Sequence, residues 1–159
     1  MSLKGQVCII TGGGSGIGRD AALLMASDGA TIVLVGRTEA KIEAVKAEIE
    51  SDGGSATTYA LSVADYAAVC QMVDEVTQTY GQIDVLVNNA GHSSLHRRLL
   101  NSPPEEVQQV IDSNLIGTFF CTQAVVPTML KSQSGTIINV YSLADEAPGP
   151  FRGFANGAA

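Results

Sequence analysis

The segment that most constrains this chain is Thr11-Gly12-Gly13-Gly14-Ser15-Gly16-Ile17-Gly18, which follows the apolar run Val7-Cys8-Ile9-Ile10 and leads directly into a helical pattern over residues 17–28. Glycines there accept positive φ and let the backbone approach a ligand with no Cβ in the way. A strand, a glycine loop and a helix in that order aim free N–H groups and the positive end of a helix at one point, which suits phosphate oxygens. A purely structural glycine turn is the alternative, and the flanking strand and helix weigh against it. Arg19-Asp20 follows Gly18, so the Lys-Ser/Thr ending of a triphosphate-binding loop is absent and the pyrophosphate of a dinucleotide fits better.

Beyond the loop, short apolar runs alternate with segments of helical period, as expected of repeated βα units around a parallel sheet. The strands read as residues 7–10, 32–35, a weaker 56–60, 85–87 and 137–140. Their continuous β-branched runs suit strands covered on both faces. Helices are predicted over residues 17–28, ended by Gly29, and over 38–50, with Thr38 as N-cap and Ile42, Val45 and Ile49 on one face. Asp65 caps a third helix with the stripe Val69, Met72, Val73 and Val76, stopped by Gly81. Ser102-Pro103-Pro104-Glu105-Glu106 supplies a cap, helix-start prolines and first-turn acids for a helical region running to about residue 131, which Pro127 is predicted to bend or interrupt. The fold class is therefore α/β, a doubly wound parallel sheet forming one dinucleotide-binding domain over residues 1–159, with strand order 3-2-1-4-5.

Hydrophobic residues at 45% and charged residues at 16% place the chain among globular proteins. Its formal charge of -7 disfavours nucleic acid and anionic membrane surfaces as partners. Cys8, Cys70 and Cys121 are widely spaced and flanked by apolar residues, as expected of buried free thiols in a reducing compartment, and no Cys/His cluster suggests a metal. No signal-peptide or membrane-span pattern opens the chain, so the expected location is the cytoplasm.

The glycine loop, read with Asn88-Asn89-Ala90-Gly91 after the fourth strand, resembles the short-chain dehydrogenase/reductase family, whose paired signatures are TGxxxGxG and NNAG. The likeness extends through Asn114 and through Ile137-Ile138-Asn139-Val140-Tyr141-Ser142. It implies a Rossmann-type fold of which five strands are present and the C-terminal part is missing. It further implies that Gly12, Gly14, Ser15, Gly16, Ile17 and Gly18 hold the cofactor and that Asn89, Ala90 and Gly91 line its adenosine ribose side. In the same way Asn88 ties the fourth strand to its neighbours, and Asn114 holds a water in a proton relay, with a plain bond to a backbone carbonyl as the alternative role. Ser142 matches the serine that bonds the substrate oxygen. Ser62-Val63 stands where the family's adenine-contacting Asp-Val pair falls, and serine keeps an acceptor there.

Cofactor choice follows from the end of the second strand, where an acid would hold a ribose 2′-hydroxyl and an arginine would accommodate a 2′-phosphate. The chain reads Gly36-Arg37-Thr38, so NADP(H) is expected in preference to NAD(H), with Arg37 and Thr38 as ligands. The family's Tyr-x-x-x-Lys is absent: either register near the end of the sequence places Asn156 or Phe154 in the tyrosine slot and no lysine after it. Tyr141 is predicted to point away from Ser142, and His92 and His96, with no paired acid, read as bystanders. The expectation is an oxidoreductase moving hydride between NADP(H) and an alcohol or carbonyl substrate, inactive as written and homo-oligomeric, dimer or tetramer, in longer form. A catalytically silent NAD(P)-binding protein is the alternative.

Overall fold

The computed structural model describes residues 2–96 and 99–141. Along the chain it forms β1 (Val7–Thr11), α1 (Gly16–Ser27), β2 (Thr31–Gly36), α2 (Glu39–Ser51), β3 (Ser55–Ala60), α3 (Tyr66–Tyr80) and β4 (Val85–Asn88). A 3-10 turn (Leu99–Asn101), α4 (Pro104–Ile111), a π turn (Asp112–Ile116), α5 (Gly117–Ser132) and β5 (Thr136–Asn139) follow. All strand pairs are parallel and the order is β3-β2-β1-β4-β5, as the sequence predicts. Strand order reverses beside β1, so the loop leaving β1 sits at the point where open α/β sheets form their ligand crevice.

The period of two along each strand builds two cores. Val7 and Ile9 of β1 join Val33, Val35 and Leu86 on one face, covered by Val69, Met72 and Val76 of α3 and Val125 of α5. Cys8 and Ile10 join Ile32, Leu34 and Val87 on the other, covered by Ala22 of α1 and Ile42, Val45 and Ile49 of α2. Both faces being covered, the central strands show unbroken apolar runs rather than alternation. Asp84 anchors the start of β1 by accepting from the Val7 amide at 2.7 Å.

Most helix ends obey their local signals. The Asp65 carboxylate accepts from the Ala68 amide at 3.1 Å, and Gly81 closes α3 with φ of +78°. One expectation holds in position only, and three need correction. Thr38 stands at the N-cap of α2 but its hydroxyl makes no capping bond. Pro103 rather than Ser102 caps α4, and the Ser102 hydroxyl instead donates to the His96 carbonyl at 2.8 Å. Pro127 does not end α5, which runs on to Ser132; Pro127 and Gln123 both lie on the exposed side, where the carbonyl that proline leaves without its helical donor is open to solvent and the helix can tolerate the loss. Cys70 is only partly buried, because it lies one residue past Val69 and turns away from the sheet-facing stripe. Cys8 and Cys121 are buried, and burial, helped at Cys8 by Asp84, pushes each thiol up to about 12, so both are inert packing groups. No helix among the described residues is long and apolar enough to cross a membrane, and no group of three or more His, Cys, Asp or Glu there could hold a metal.

Candidate functional site

The glycine loop is stitched to the end of β4 by Thr11. Its buried hydroxyl donates to the Val87 carbonyl at 3.3 Å and accepts from the amides of Asn89 and Ala90 at 3.0 and 2.9 Å. In return the Asn89 carboxamide donates to the carbonyls of Thr11 and Gly12 at 3.0 and 3.3 Å. Two glycines make this closeness possible. Gly12 turns at φ of +66°, in the left-handed region, and a Cβ on Gly18 would stand 2.4 Å from the Gly12 carbonyl oxygen and 2.4 Å from Asn89 Nδ2. Beyond this knot Ser15 and Gly16 are exposed, Ile17 is 67% exposed, and α1 begins with no acid in its first turn. The positive helix end therefore faces outward without compensation.

Beside the loop lies a cavity of about 230 Å³. Of the residues singled out in the sequence, Gly12, Arg37, Ser62, Val63, Ala90 and Gly91 line it. Asn89 does not, its carboxamide being committed to the loop backbone, nor do the half-buried Gly14, the exposed Ser15, Gly16, Ile17 and Thr38, or Gly18, which is buried against Gly12 and Asn89. Ser142 lies outside the described residues.

The two arginines near the loop differ in what binds them. Arg19 holds Glu48 of α2 through both carboxylate oxygens, at 2.6 and 2.7 Å, and Asp20 at 3.1 Å, so its charge is spent joining α1 to α2. Hydrogen bonding to Glu48 accordingly raises its pKa. Arg37 is exposed, and among the described residues no carboxylate pairs with it. Among the described residues it is the arginine or lysine that lines the cavity.

Asn114 lies in the π turn, not in a regular helix interior. Its Oδ1 accepts from the His92 amide at 3.1 Å and its Nδ2 donates to the His92 carbonyl at 3.2 Å, so the side chain clamps the segment that follows Gly91. The carboxamide thus bonds a backbone carbonyl, which is compatible with either role read from the sequence, and the Asn114 carbonyl accepts from Thr118 Oγ1 at 2.9 Å. Asn88 ties strands as expected, donating to Thr122 Oγ1 at 3.1 Å and to Asn139 Oδ1 at 2.9 Å.

Each histidine has a partner among the described residues, and for His96 that partner is an acid. His96, read as lacking an acid, bonds Glu106 Oε2 through Nδ1 at 2.7 Å. That bond, with the amides of Leu95 and His96 and the Ser94 hydroxyl, pushes the Glu106 carboxyl down to about 2. The partner lies ten residues on, at the start of α4, a separation at which no sequence pattern links them. His92 lines the cavity and bonds Ser113 Oγ through Nδ1 at 3.0 Å. The Thr11 hydroxyl was likewise missed as a structural hub, although a polar residue ending an apolar strand was its visible signal.

A parallel, doubly wound sheet with a glycine loop at its switch point and a cavity beside it defines a Rossmann-type α/β protein. The family model of short chain dehydrogenases matches residues 6–154, and the chain belongs to that family. It is 41% identical over 143 residues to the 3-oxoacyl-(acyl-carrier-protein) reductase FabG of Thermotoga maritima, a match covering 90% of this chain and 58% of that protein. Among solved structures, a metagenomic short-chain oxidoreductase in complex with NADP superposes with a TM-score of 0.93 at 35% identity, covering 99% of this chain and 71% of the other. An NAD+-bound xylitol dehydrogenase also gives 0.93, at 32% identity, covering 99% and 60%. The chain thus spans somewhat over half the length of the curated relatives it matches, 58% for the first two.

Proposed function

We propose that residues 1–159 form one dinucleotide-binding unit of an oxidoreductase that passes hydride between NADP(H) and an alcohol or carbonyl compound, with NADP(H) held in preference to NAD(H). The observation that carries the cofactor choice is Arg37: it stands on the cavity wall just past β2, Gly36 fills the place of an acid, and no described carboxylate neutralises it. The two solved relatives carry NADP and NAD+ respectively, so the choice falls to residues such as these rather than to the fold.

Several features of the cradle fit such a ligand. The uncompensated start of α1 and the exposed turn of Ser15, Gly16 and Ile17, with Gly14 half-buried before it and Gly18 packed beneath it, offer amides to a pyrophosphate. Ser62 and Val63 on one side and Ala90 and Gly91 on the other flank the adenosine, while Asn89 fixes the loop from behind. Thr38, whose hydroxyl caps nothing, is free to join Arg37 at a 2′-phosphate. When bound, the nicotinamide would supply or accept the hydride. By family resemblance Asn114 serves the proton relay and Ser142 holds the substrate oxygen. The unpaired cysteines favour a reducing compartment, the cytoplasm.

Calorimetric titration with NADPH and NADH tests the reading. NADPH should bind more tightly, and Arg37→Ala should remove about 1.5–3 kcal/mol from NADPH binding while leaving NADH nearly unchanged. Equal affinities of the parent protein for the two cofactors would contradict it.

The same reading makes the longer protein a homo-oligomer, dimer or tetramer. Leu115 at 47%, Phe119 at 61% and Leu130 at 72% exposure form an apolar band along the π turn and α5. Such bands are uncommon on stable monomers. Light scattering on the 159-residue chain should show association, and a monodisperse monomer would contradict the proposal.

A further inference from the structure

Hydrogen counting around Asn114 fixes the protonation of a histidine in the cavity wall. The Asn114 carboxamide cannot be turned over, because Nδ2 would then face the His92 amide and Oδ1 the His92 carbonyl, donor to donor and acceptor to acceptor. Ser113 Oγ stands 2.8 Å from Asn114 Oδ1, a contact two bare oxygens would not tolerate, so the single hydroxyl proton of Ser113 lies between them. The Val110 carbonyl, at 3.4 Å, is the weaker claimant. Ser113 therefore has only a lone pair left for His92, and His92 Nδ1, 3.0 Å away, must be the donor. Neutral His92 is then the Nδ1–H tautomer, and its Nε2 carries a bare lone pair with no partner among the described residues.

His92 lines the cavity together with Arg37, Ser62, Val63 and Gly91. We propose that His92 is a cofactor-binding residue whose Nε2 accepts a hydrogen bond from the adenosine half of the dinucleotide, from the adenine amine or a ribose hydroxyl. The inference rests on the dinucleotide reading and goes beyond it, since the glycine loop and Arg37 account for phosphates and Ser62 for one adenosine contact, which leaves His92 without a role in that reading. Asp112, a further acceptor among the lining residues, has one carboxylate oxygen already taken by Gln108 Nε2 at 2.7 Å. The Ser113 bond pre-sets the ring, so the ligand meets an acceptor that needs no reorganisation.

Nitrogen-15 imidazole spectra at alkaline pH read this directly, because the chain has only two histidines and His92→Gln assigns the signals by loss of one. The free protein should show His92 protonated at Nδ1 and bare at Nε2, and adding 2′,5′-ADP should shift Nε2 while nicotinamide mononucleotide should not. Asparagine preserves only the Ser113 bond and glutamine can reach the ligand, so His92→Asn should weaken 2′,5′-ADP binding about threefold to tenfold and His92→Gln should stay within about twofold. An Nε2–H tautomer, an unmoved Nε2 signal while 2′,5′-ADP binds, or a His92→Asn variant with parental affinity would overturn the inference and leave the dinucleotide reading intact. Failure of the parent chain to bind both NADPH and 2′,5′-ADP would remove the reading and the inference together.

Discussion

Incubated with NADPH and a panel of ketones and aldehydes, a polypeptide of these 159 residues should bind the cofactor and leave the carbonyl compounds unreduced. Hydride arriving at a carbonyl carbon creates an alkoxide that must take a proton, and a positioned acid contributes on the order of 10²–10⁴-fold to such a step. In the family the acid is a tyrosine whose pKa is lowered by a lysine four residues later. Here the tyrosines are Tyr59, Tyr66, Tyr80 and Tyr141, and none is followed by lysine at that spacing. Their settings point the wrong way as well: burial raises the Tyr59 phenol, a hydrogen bond with Cys70 raises Tyr66, and the Tyr80 hydroxyl is engaged with Thr57 at 2.7 Å. Tyr141 is 70% exposed at the open end of β5. The measurement is NADPH consumption by mass-verified protein alongside calorimetric binding. Turnover at the pace of a full-length reductase would show that a histidine, Tyr141 or water delivers the proton.

The second large effect belongs to Gly18. Alanine there would put a methyl group 2.4 Å from the Gly12 carbonyl oxygen and 2.4 Å from Asn89 Nδ2. Neither neighbour can swing aside cheaply, since one is backbone and the other is held by two hydrogen bonds to Thr11 and Gly12. The loop must open, and the amides it presents move out of register with any phosphate they serve. Gly18→Ala should lose two charge-assisted contacts, about 3 kcal/mol or more, so NADPH binding should fall ~100-fold or further. Thermal unfolding should show a stability loss of about 1–3 kcal/mol, the usual cost of overpacking. The two readouts separate a damaged loop from a lost fold: a variant that still melts cooperatively yet binds NADPH as tightly as the parent would show that the loop does not carry the ligand.

The amino-acid sequence determined the sheet by itself. Its β-branched runs are local, the intervening stripes have helical period, and right-handed crossovers leave few ways to connect them, so strands and core-facing stripes were legible without coordinates and 3-2-1-4-5 was the favoured strand order, the one the sheet adopts. The glycine loop was legible for the same reason, being one contiguous segment whose residue types have few other uses. What only the tertiary structure decided were contacts between segments distant along the chain. Asn89 faces the loop backbone rather than the cavity because β1 and β4 are neighbours and Thr11 meets it there. Packing of α1 on α2 delivers Glu48 to Arg19, whereas no described carboxylate reaches Arg37. The π turn places Asn114 and Ser113 against His92, about twenty residues earlier, and by hydrogen-bond count sets that ring's tautomer. Such pairings depend on angles and separations of a few ångström between elements, which periodicity along one strand or helix does not encode.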